Sequence, residues 1–195
     1  MIRLFAALCK ALLKQLSDID GFQNATDGYI HHKKGCPACG ADGQLSPYGG
    51  YFRGLTSWRE GKPIDRSIWV HRFECESCGA THALLPYIMI PYSIYSLHFK
   101  LSALIAYYER DCTVAAVCES FDIAVSTLYE WKKRMALHKD LMIGVLLSQK
   151  TPSLDFLRRL LGSDDLSDEL RRFFHKHGFS FMQGATAVTT RSNPP

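Results

Sequence analysis

The stretch "CPACG" at residues 36–40 returns as "CESCG" at residues 75–79. A Cys-x-x-Cys turn points two thiolates at a single ion, and the glycine that follows it, Gly40 or Gly79, lets the backbone turn back with a positive φ angle. Two such turns supply all four ligands of a structural zinc ion, which leaves no open position for chemistry. The predicted ligands are Cys36, Cys39, Cys75 and Cys78.

Other roles for paired thiols fit the sequence less well. A redox motif needs one pair at the start of a helix in a thioredoxin-like unit, and neither pair lies in such a context. A nucleobase deaminase would carry Pro-Cys-x-x-Cys after a His-x-Glu motif, whereas Pro37 stands inside the first pair and no His-x-Glu precedes it. His71 and His82 flank the second pair and could substitute as ligands or bind phosphate, although ordinary strand or surface histidines are favoured.

The composition is that of a globular protein with one domain or two small ones. The chain has 195 residues, of which 47% are hydrophobic and 22% are charged. Its net charge of +4 indicates only a mild preference for anionic partners. The charge is concentrated at residues 125–139, where four basic residues stand against Glu130. The chain has seven cysteines, four of which stand in the two pairs. Because the sequence predicts no signal peptide and no membrane-spanning helix, a reducing cytoplasm is expected, where paired thiols bind metal more often than each other.

The predicted fold class is α+β and mostly α. Residues 46–54 and 66–74 alternate short β-prone pieces with glycine turns, and residues 81–85 add a third β-prone piece, which together predict a small three-stranded zinc ribbon. Apolar residues at helical spacing then predict a bundle of three helices, of which the first is capped by Ser93 and the second ends near Phe121. In the helical extension that follows, Ser153 is placed to cap one helix and Gly178 to end the last.

Five segments are predicted along the chain. Residues 1–20 have the periodicity of an amphipathic helix, and Lys10 and Lys14 within it disfavour a signal peptide or a membrane anchor. The zinc ribbon is predicted at 30–90, a helix-turn-helix domain at 91–140, the helical extension at 141–180 and a disordered tail at 181–195. No stretch approaches about 18 uncharged apolar residues, so no membrane-spanning helix is expected.

The stretch "TVAAVCESFDIAVSTLYEWKKRM", residues 113–135, has the layout of a helix-turn-helix. If Leu128, Trp131 and Met135 face the core, the polar side chains of the second helix project outward. Hydroxyl, phenol and carboxylate groups suit base edges and phosphates, and basic groups suit phosphates. The predicted DNA-binding residues are Ser126, Thr127, Tyr129, Glu130, Lys132, Lys133 and Arg134. An ordinary three-helix bundle with a solvated face is the alternative.

Residues 36–135 resemble the zinc-ribbon plus helix-turn-helix proteins associated with bacterial insertion sequences and transposases. The resemblance is carried by "CPACG", "CESCGATHALLP" and "VSTLYEWKKR", the last being similar to the Ser-Thr-Leu-Tyr-x-Trp signature of transposase-type recognition helices. It implies recognition of mobile-element ends, or of an operator, alongside a separately encoded transposase or integrase. The turn departs from the family pattern twice, with Asp122 in place of glycine and Ala124 in place of a serine cap.

No catalytic site is predicted. A transposase of the acidic-triad type would need a ribonuclease-H-like domain, and residues 136–195 offer short helices and a tail. The acidic cluster Asp164, Asp165, Asp168 and Glu169 is explained by the start of a helix. The expected protein is a cytoplasmic, non-enzymatic binder of double-stranded DNA without membrane contact, and a homo-oligomer is left open. The alternatives are a zinc-ribbon protein-interaction adaptor and a transcriptional regulator.

Overall fold

The computed structural model describes Ile2 and Arg3, residues 35–85 and residues 89–184. Four strands lie within these ranges: β1 (Ile2–Arg3), β2 (Leu45–Arg59), β3 (Lys62–Cys75) and β4 (Thr81–Leu85). The helices of the same ranges are α1 (Leu97–Glu109), α2 (Val114–Ser120), α3 (Val125–Ile143), α4 (Val145–Lys150), α5 (Ser153–Leu161) and α6 (Leu166–His177). The predicted α+β class is therefore confirmed. By their contacts the described residues form two units, those within Met1–Leu55 and Asp65–Met89 and those within Thr56–Ile64 and Ile90–Pro195.

The strands form one sheet in the order β1-β4-β3-β2. β3 and β4 are antiparallel, with Phe73 opposite His82, whereas the two residues of β1 run parallel to β4. β2 and β3 are joined by Glu60 and Gly61, whose φ angles of 52° and 76° are those of a tight two-residue hairpin turn. Such a turn makes β2 and β3 antiparallel, so the predicted three-stranded sheet is confirmed and β1 is added at its edge.

β2 and β3 are longer than the sequence predicts, because the glycines expected to form turns lie inside β2. Gly50 is one of them, and it lies under the side chain of Trp69. A Cβ atom at Gly50 would lie 2.6 Å from a carbon of the Trp69 ring. The absence of a side chain therefore lets a neighbouring indole cover the strand, and packing across the hairpin outweighs the local preference of glycine for turns.

The core of the first unit lies on one face of the sheet. β3 buries Ile68 and Val70, and further along it buries Phe73 and Cys75. The buried residues of β3 stand at even positions up to Val70 and at odd positions from Phe73 onward. One extra residue is therefore accommodated between these two residues, as in a β-bulge. The same cluster also contains Cys36, Leu45, Leu55, Leu84, Leu85 and Met89. Two of the four cysteines are thus built into this core.

α1 begins later than predicted, and the predicted cap at Ser93 is wrong. The cap is Ser96, whose Oγ accepts a hydrogen bond from Phe99 N at 3.1 Å. The backbone just before it is occupied by the hairpin tip, since Thr56 N donates to Ile94 O at 2.7 Å and Ser96 N donates to Thr56 O at 2.9 Å. These bonds hold residues 94–96 extended, so the helix starts at residue 97.

The second unit has an aromatic core. α1 packs against α2, α3 and α5. Phe99 of α1 lies with its ring centre 5.5 Å from that of Phe121 and 6.1 Å from that of Trp131. Trp58, which comes from the hairpin tip, stacks on Phe121 with ring centres 3.9 Å apart and an interplanar angle of 15°. The tip of the hairpin is therefore part of the core of the helical unit.

The C-terminal helices pack around a buried histidine of α3. His138 lies among the rings of Phe173, Phe179 and Phe181, and its Nδ1 accepts a hydrogen bond from Met182 N at 2.8 Å. Burial is the main cause that lowers the pKa of His138 to about 4, so the ring is neutral at physiological pH. Phe181 and Met182 are themselves buried. The segment predicted as a disordered tail, 181–195, thus begins with two buried residues, and its part beyond 184 lies outside the described residues.

The ends of the last helices follow local signals. α5 has Pro152 at its N-cap position and Ser153 as its first residue, without the side-chain cap expected from Ser153. α6 starts after Asp165, carries Asp168 and Glu169 in its first turn and ends at Gly178 with a φ angle of 75°. Apart from Ile2 and Arg3, the N-terminal helix predicted at residues 1–20 lies outside the described residues. Among the described helices, none combines the length and the apolar character that crossing a bilayer requires.

Candidate functional site

The four predicted zinc ligands converge. Their Sγ atoms all lie within 4.8 Å of one another, and no disulfide links the described cysteines. Cys36 Sγ is 3.8 Å from Cys78 Sγ, and Cys39 Sγ is 3.7 Å from Cys75 Sγ. Four sulfurs at about 2.3 Å from a tetrahedral zinc ion would be about 3.8 Å apart, whereas a disulfide is about 2.05 Å long. The residues therefore fit one tetrahedral metal ion.

The two cysteine turns have the same backbone geometry. In the first, Gly40 N donates to Cys36 O at 2.8 Å and Cys36 N donates to Ala41 O at 2.9 Å. In the second, the equivalent bonds of Gly79 and Cys75 are 2.8 Å and 3.0 Å long. The φ angles of Gly40 and Gly79 are 78° and 67°, as their position after each pair predicts. Each turn is thus fixed by its own backbone.

One further backbone bond ties the second turn to the segment that follows the first turn. Glu76 N, in the second turn, donates to Gln44 O at 2.8 Å, just before β2. Because β3 runs directly into Cys75 and β2 starts after the first turn, the hairpin brings the two cysteine pairs side by side. The β2–β3 hairpin, which lies between the two cysteine pairs in the sequence, is therefore the element that brings the four thiols together.

A histidine lies against this cluster. His82 Nε2 is 3.3 Å from Cys36 Sγ, and both side chains are buried. Ala38 N donates to the same sulfur at 3.3 Å. The sequence prediction favoured an ordinary strand or surface position for His82. A signal for the buried position was present, since His82 and Leu84 are two residues apart in a strand and share its core-facing side.

The ionisation of the thiols differs across the cluster. At Cys36 burial acts to raise the pKa, but hydrogen bonds from Cys39 N, Ala38 N and neighbouring thiols outweigh it and lower the pKa to about 7. At Cys78 a backbone bond from Ala80 acts to lower the pKa, but burial and three neighbouring thiols together raise it to about 12. Four thiolates are not stable side by side without a cation, so metal binding must displace protons.

A second region of interest is the connection between α2 and α3. α2 ends at Ser120, and Asp122 has a φ angle of 48°, which is the left-handed conformation in which related turns use glycine. Ile123 is buried, and Ala124 occupies the N-cap position of α3 without a side-chain hydrogen bond. Asp122 and Ala124 therefore occupy the turn and the N-cap of α3, which are the positions that the sequence assigns to them.

The exposed side of α3 carries part of the predicted DNA-binding set. The apolar residues Leu128, Trp131 and Met135 are buried, as predicted. The seven polar residues divide by exposure: Ser126, Tyr129, Glu130 and Lys133 are exposed, whereas Thr127, Lys132 and Arg134 are half-buried. The exposed four recur at spacings of three and four residues, which places them along one line of the helix.

Lys132 and Arg134 already have partners within the protein. Lys132 Nζ donates to Tyr107 Oη at 2.9 Å and lies 5.0 Å from the centre of the Tyr107 ring. This hydrogen bond is the main cause of the raised pKa of Lys132. Arg134 forms an ion pair with Glu130 and donates to Gln183 O at 2.9 Å. Of the predicted cations, Lys133 is therefore the one most available to a phosphate.

Comparison with known proteins gives one family. Residues 36–131 match the family model described as a domain of unknown function, DUF6431. The matched range starts at the first cysteine of the cluster and ends at Trp131 in α3, so it contains the cysteine cluster and the connection between α2 and α3, whereas Lys132, Lys133 and Arg134 lie beyond it. No curated protein and no solved structure matched the chain.

Proposed function

We propose that this chain is a zinc-stabilised, sequence-specific DNA-binding protein that acts without catalysis of its own. The observation that carries the proposal is the line of exposed polar residues on α3, next to a left-handed turn and backed by a buried apolar face. This is the arrangement in which a helix-turn-helix presents its second helix to the major groove.

Each exposed residue of α3 offers a DNA-type contact. The Ser126 hydroxyl lies in the first turn of the helix, where recognition helices contact base edges or the adjacent phosphate. Tyr129 presents a phenol, and Lys133 presents a cation that neutralises a phosphate. Glu130 accepts from the cytosine amine in the major groove only if it keeps one oxygen outside its ion pair with Arg134. Lys132 supports Tyr107 and Tyr129, with its Nζ 5.7 Å from the centre of the Tyr129 ring.

The ion in the cysteine cluster is zinc in this proposal. Four thiolates in tetrahedral geometry are a donor set that zinc favours. With all four positions taken by protein, the ion holds the two cysteine turns and the hairpin together and has no site for substrate. A reducing cytoplasm suits such a centre because it keeps the thiols available to the metal.

The target in this proposal is the end of a mobile element. The support is the resemblance of residues 36–135 to insertion-sequence proteins, which also implies a separately encoded transposase or integrase as partner. A transcriptional regulator would use the same chemistry on an operator. The two are distinguished by the DNA that is bound most tightly.

One observation favours a second candidate function, that of a protein-interaction adaptor. Three consecutive apolar residues of α4, Val145, Leu146 and Leu147, are exposed, and so is Leu137 of α3. Exposed apolar side chains close together in sequence are a feature of protein interfaces. In that case the polar side of α3 would be an ordinary solvated surface.

The test measures the affinity of the zinc-loaded protein for duplex DNA by fluorescence anisotropy. Random duplex DNA and the DNA that flanks the gene are compared at a series of salt concentrations. The proposal expects affinity to fall steeply as salt rises, because phosphate contacts release counterions, and expects tighter binding to one of the native sequences. Absence of binding to any duplex at low salt would overturn it and favour the adaptor.

A further inference from the structure

The hairpin of the first unit carries aromatic rings on the side of the sheet that faces away from its core. Tyr48 and Phe52 of β2 are 50% and 71% exposed. Trp69 of β3 is half-buried beside them, with its ring centre 5.0 Å from that of Phe52. We call Tyr48, Phe52 and Trp69 the aromatic platform.

The contacts between these residues place them on one face. Tyr48, Gly50 and Phe52 are two residues apart in β2 and so point to the same side of the sheet. The Trp69 ring covers Gly50, which lies between the other two. The core residues of β3, Ile68 and Val70, flank Trp69 in sequence and point the other way. The platform is therefore separate from the hydrophobic core.

The platform is held in place by its neighbours. Trp69 is fixed by the edge-on contact with Phe52 and by the backbone of Gly50, where no side chain could be tolerated without displacement. The guanidinium of Arg72 lies 5.3 Å from the centre of the Tyr48 ring, and its Nη2 donates to Thr81 Oγ1 at 2.8 Å. The rings are thus pre-arranged, which lowers the entropy that a ligand would lose on binding them.

One cation at this face, the guanidinium of Arg72, suits an anionic ligand. Arg72 lies over Tyr48, and the imidazole of His71 meets the edge of the Trp69 ring with centres 6.4 Å apart. Glu74 follows on the same strand next to Cys75, and it opposes an anion at that end. A ligand with flat apolar groups and a few negative charges, aligned away from Glu74, matches this distribution.

We propose that the aromatic platform binds single-stranded DNA by stacking unpaired bases on Phe52, Trp69 and Tyr48, with Arg72 contacting a phosphate. Rings exposed on a sheet next to cations form the surface on which unpaired bases stack, whereas the bases of a duplex already stack on each other. The choice of DNA rests on the proposed function, in which α3 of the same chain binds duplex DNA. Single strands of this kind form where the ends of a DNA duplex are opened, so both surfaces of the chain could meet the same DNA.

The experiment measures anisotropy of fluorescein-labelled oligothymidylate of about a dozen nucleotides with the zinc-loaded full chain. Phe52→Leu keeps an apolar side chain but removes the ring, and Phe52→Tyr keeps the ring. Loss of a stacked base is expected to weaken binding by about 5- to 100-fold in Phe52→Leu, with Phe52→Tyr close to the wild type. Tyr51→Ala is the matched control, because Tyr51 is exposed on the same strand but alternates to the other side.

Two further measurements distinguish a failure of the aromatic platform from a failure of the proposed duplex binding. Lys133→Ala should weaken duplex binding and leave oligothymidylate binding unchanged, whereas Phe52→Leu should do the reverse. Because Arg72 contacts one phosphate in this proposal, the salt slope for the single strand should be shallow, at about −0.7. Wild-type protein that does not bind oligothymidylate, or binds it equally after Phe52→Leu, would overturn the platform even if duplex binding persists. Tighter binding of oligouridylate than of oligothymidylate would overturn the assignment to DNA.

Discussion

The imidazole Nε2 of His82 lies 3.3 Å from Cys36 Sγ, in the buried interior of the ribbon. With its proton on Nε2, His82 donates to a sulfur that also accepts from Ala38 N. Donors to a metal-bound thiolate disperse its negative charge and hold it in position. We therefore expect His82 to position Cys36 in the proposed metal centre without being a ligand itself.

Replacing His82 by Phe is expected to weaken zinc binding. The substitution keeps a buried ring but removes the donor to Cys36, and loss of such outer contacts costs about 10- to 100-fold in metal affinity. Competition with a chromophoric chelator measures the change. His82→Gln, which retains an N–H donor, should recover part of the loss, and His71→Gln should have no effect. Equal affinity of His82→Phe and wild type would show that the contact does not support the metal.

Zinc binding is expected to release protons at neutral pH. The pKa of Cys78 near 12 means that its thiol is protonated in the metal-free protein at pH 7, and the pKa of Cys36 near 7 means that its thiol is about half protonated. Affinity should therefore fall as the pH is lowered, because protons compete with the metal for sulfur. Calorimetric titrations in buffers of different ionisation enthalpy measure the number released. Binding without proton release would contradict these thiol states.

Ala124→Ser is expected to stabilise the protein by about 0.5–1 kcal/mol, because a serine at the N-cap of α3 would accept a backbone hydrogen bond that alanine cannot. Chemical unfolding followed by circular dichroism measures the gain. Ala136→Ser makes the same change at an exposed interior position of α3 and should be neutral or slightly destabilising. A loss of stability in Ala124→Ser would place the start of the helix elsewhere.

Trp58→Ala is expected to destabilise the helical unit by about 2 kcal/mol or more, since it removes the ring stacked on Phe121 at 3.9 Å. The midpoint of unfolding in guanidinium chloride reports the effect. Phe52→Ala removes another large ring from the same hairpin, but that ring is 71% exposed, so little change is expected. Similar small effects of both substitutions would argue against a structural role of the hairpin tip.

Lys133→Ala is expected to weaken duplex binding by a similar factor on every sequence and to reduce the salt slope by about one unit, as for the loss of one phosphate contact. Lys150, which is exposed in the last turn of α4, provides the matched control when replaced by Ala. Unchanged binding in Lys133→Ala would move the DNA surface away from α3. The measurement is the anisotropy titration described for the proposed function.

The features that were predicted from sequence are those that depend on neighbouring residues. Gly40 and Gly79 follow their cysteines directly, and their positive φ angles come from that local turn. Leu128, Trp131 and Met135 have the spacing of one helix face, and all three are buried. Asp122 and Ala124 hold the turn and cap positions that the spacing of the helix-turn-helix pattern assigned to them.

The features that were not predicted depend on contacts far apart in the sequence. Gly50 favours a turn by itself, but the Trp69 ring that covers it keeps it within a strand. Ser93 is a suitable helix cap by itself, but the bonds of Thr56 to residues 94 and 96 delay the start of α1. His82 gives no local sign that it meets Cys36, because the contact depends on the pairing of β4 with β3.

The place of Trp58 in the core of the helical unit sets an order for folding during synthesis. All four cysteines of the candidate metal site precede residue 79, so the ribosome releases the whole set before any helix of residues 97–177 exists. The hairpin tip emerges in the same early segment, yet its partner Phe121 is made later. The proposed metal site is therefore complete while the Trp58 indole is still exposed to water, and the indole is covered only after α1 and α2 have left the exit tunnel.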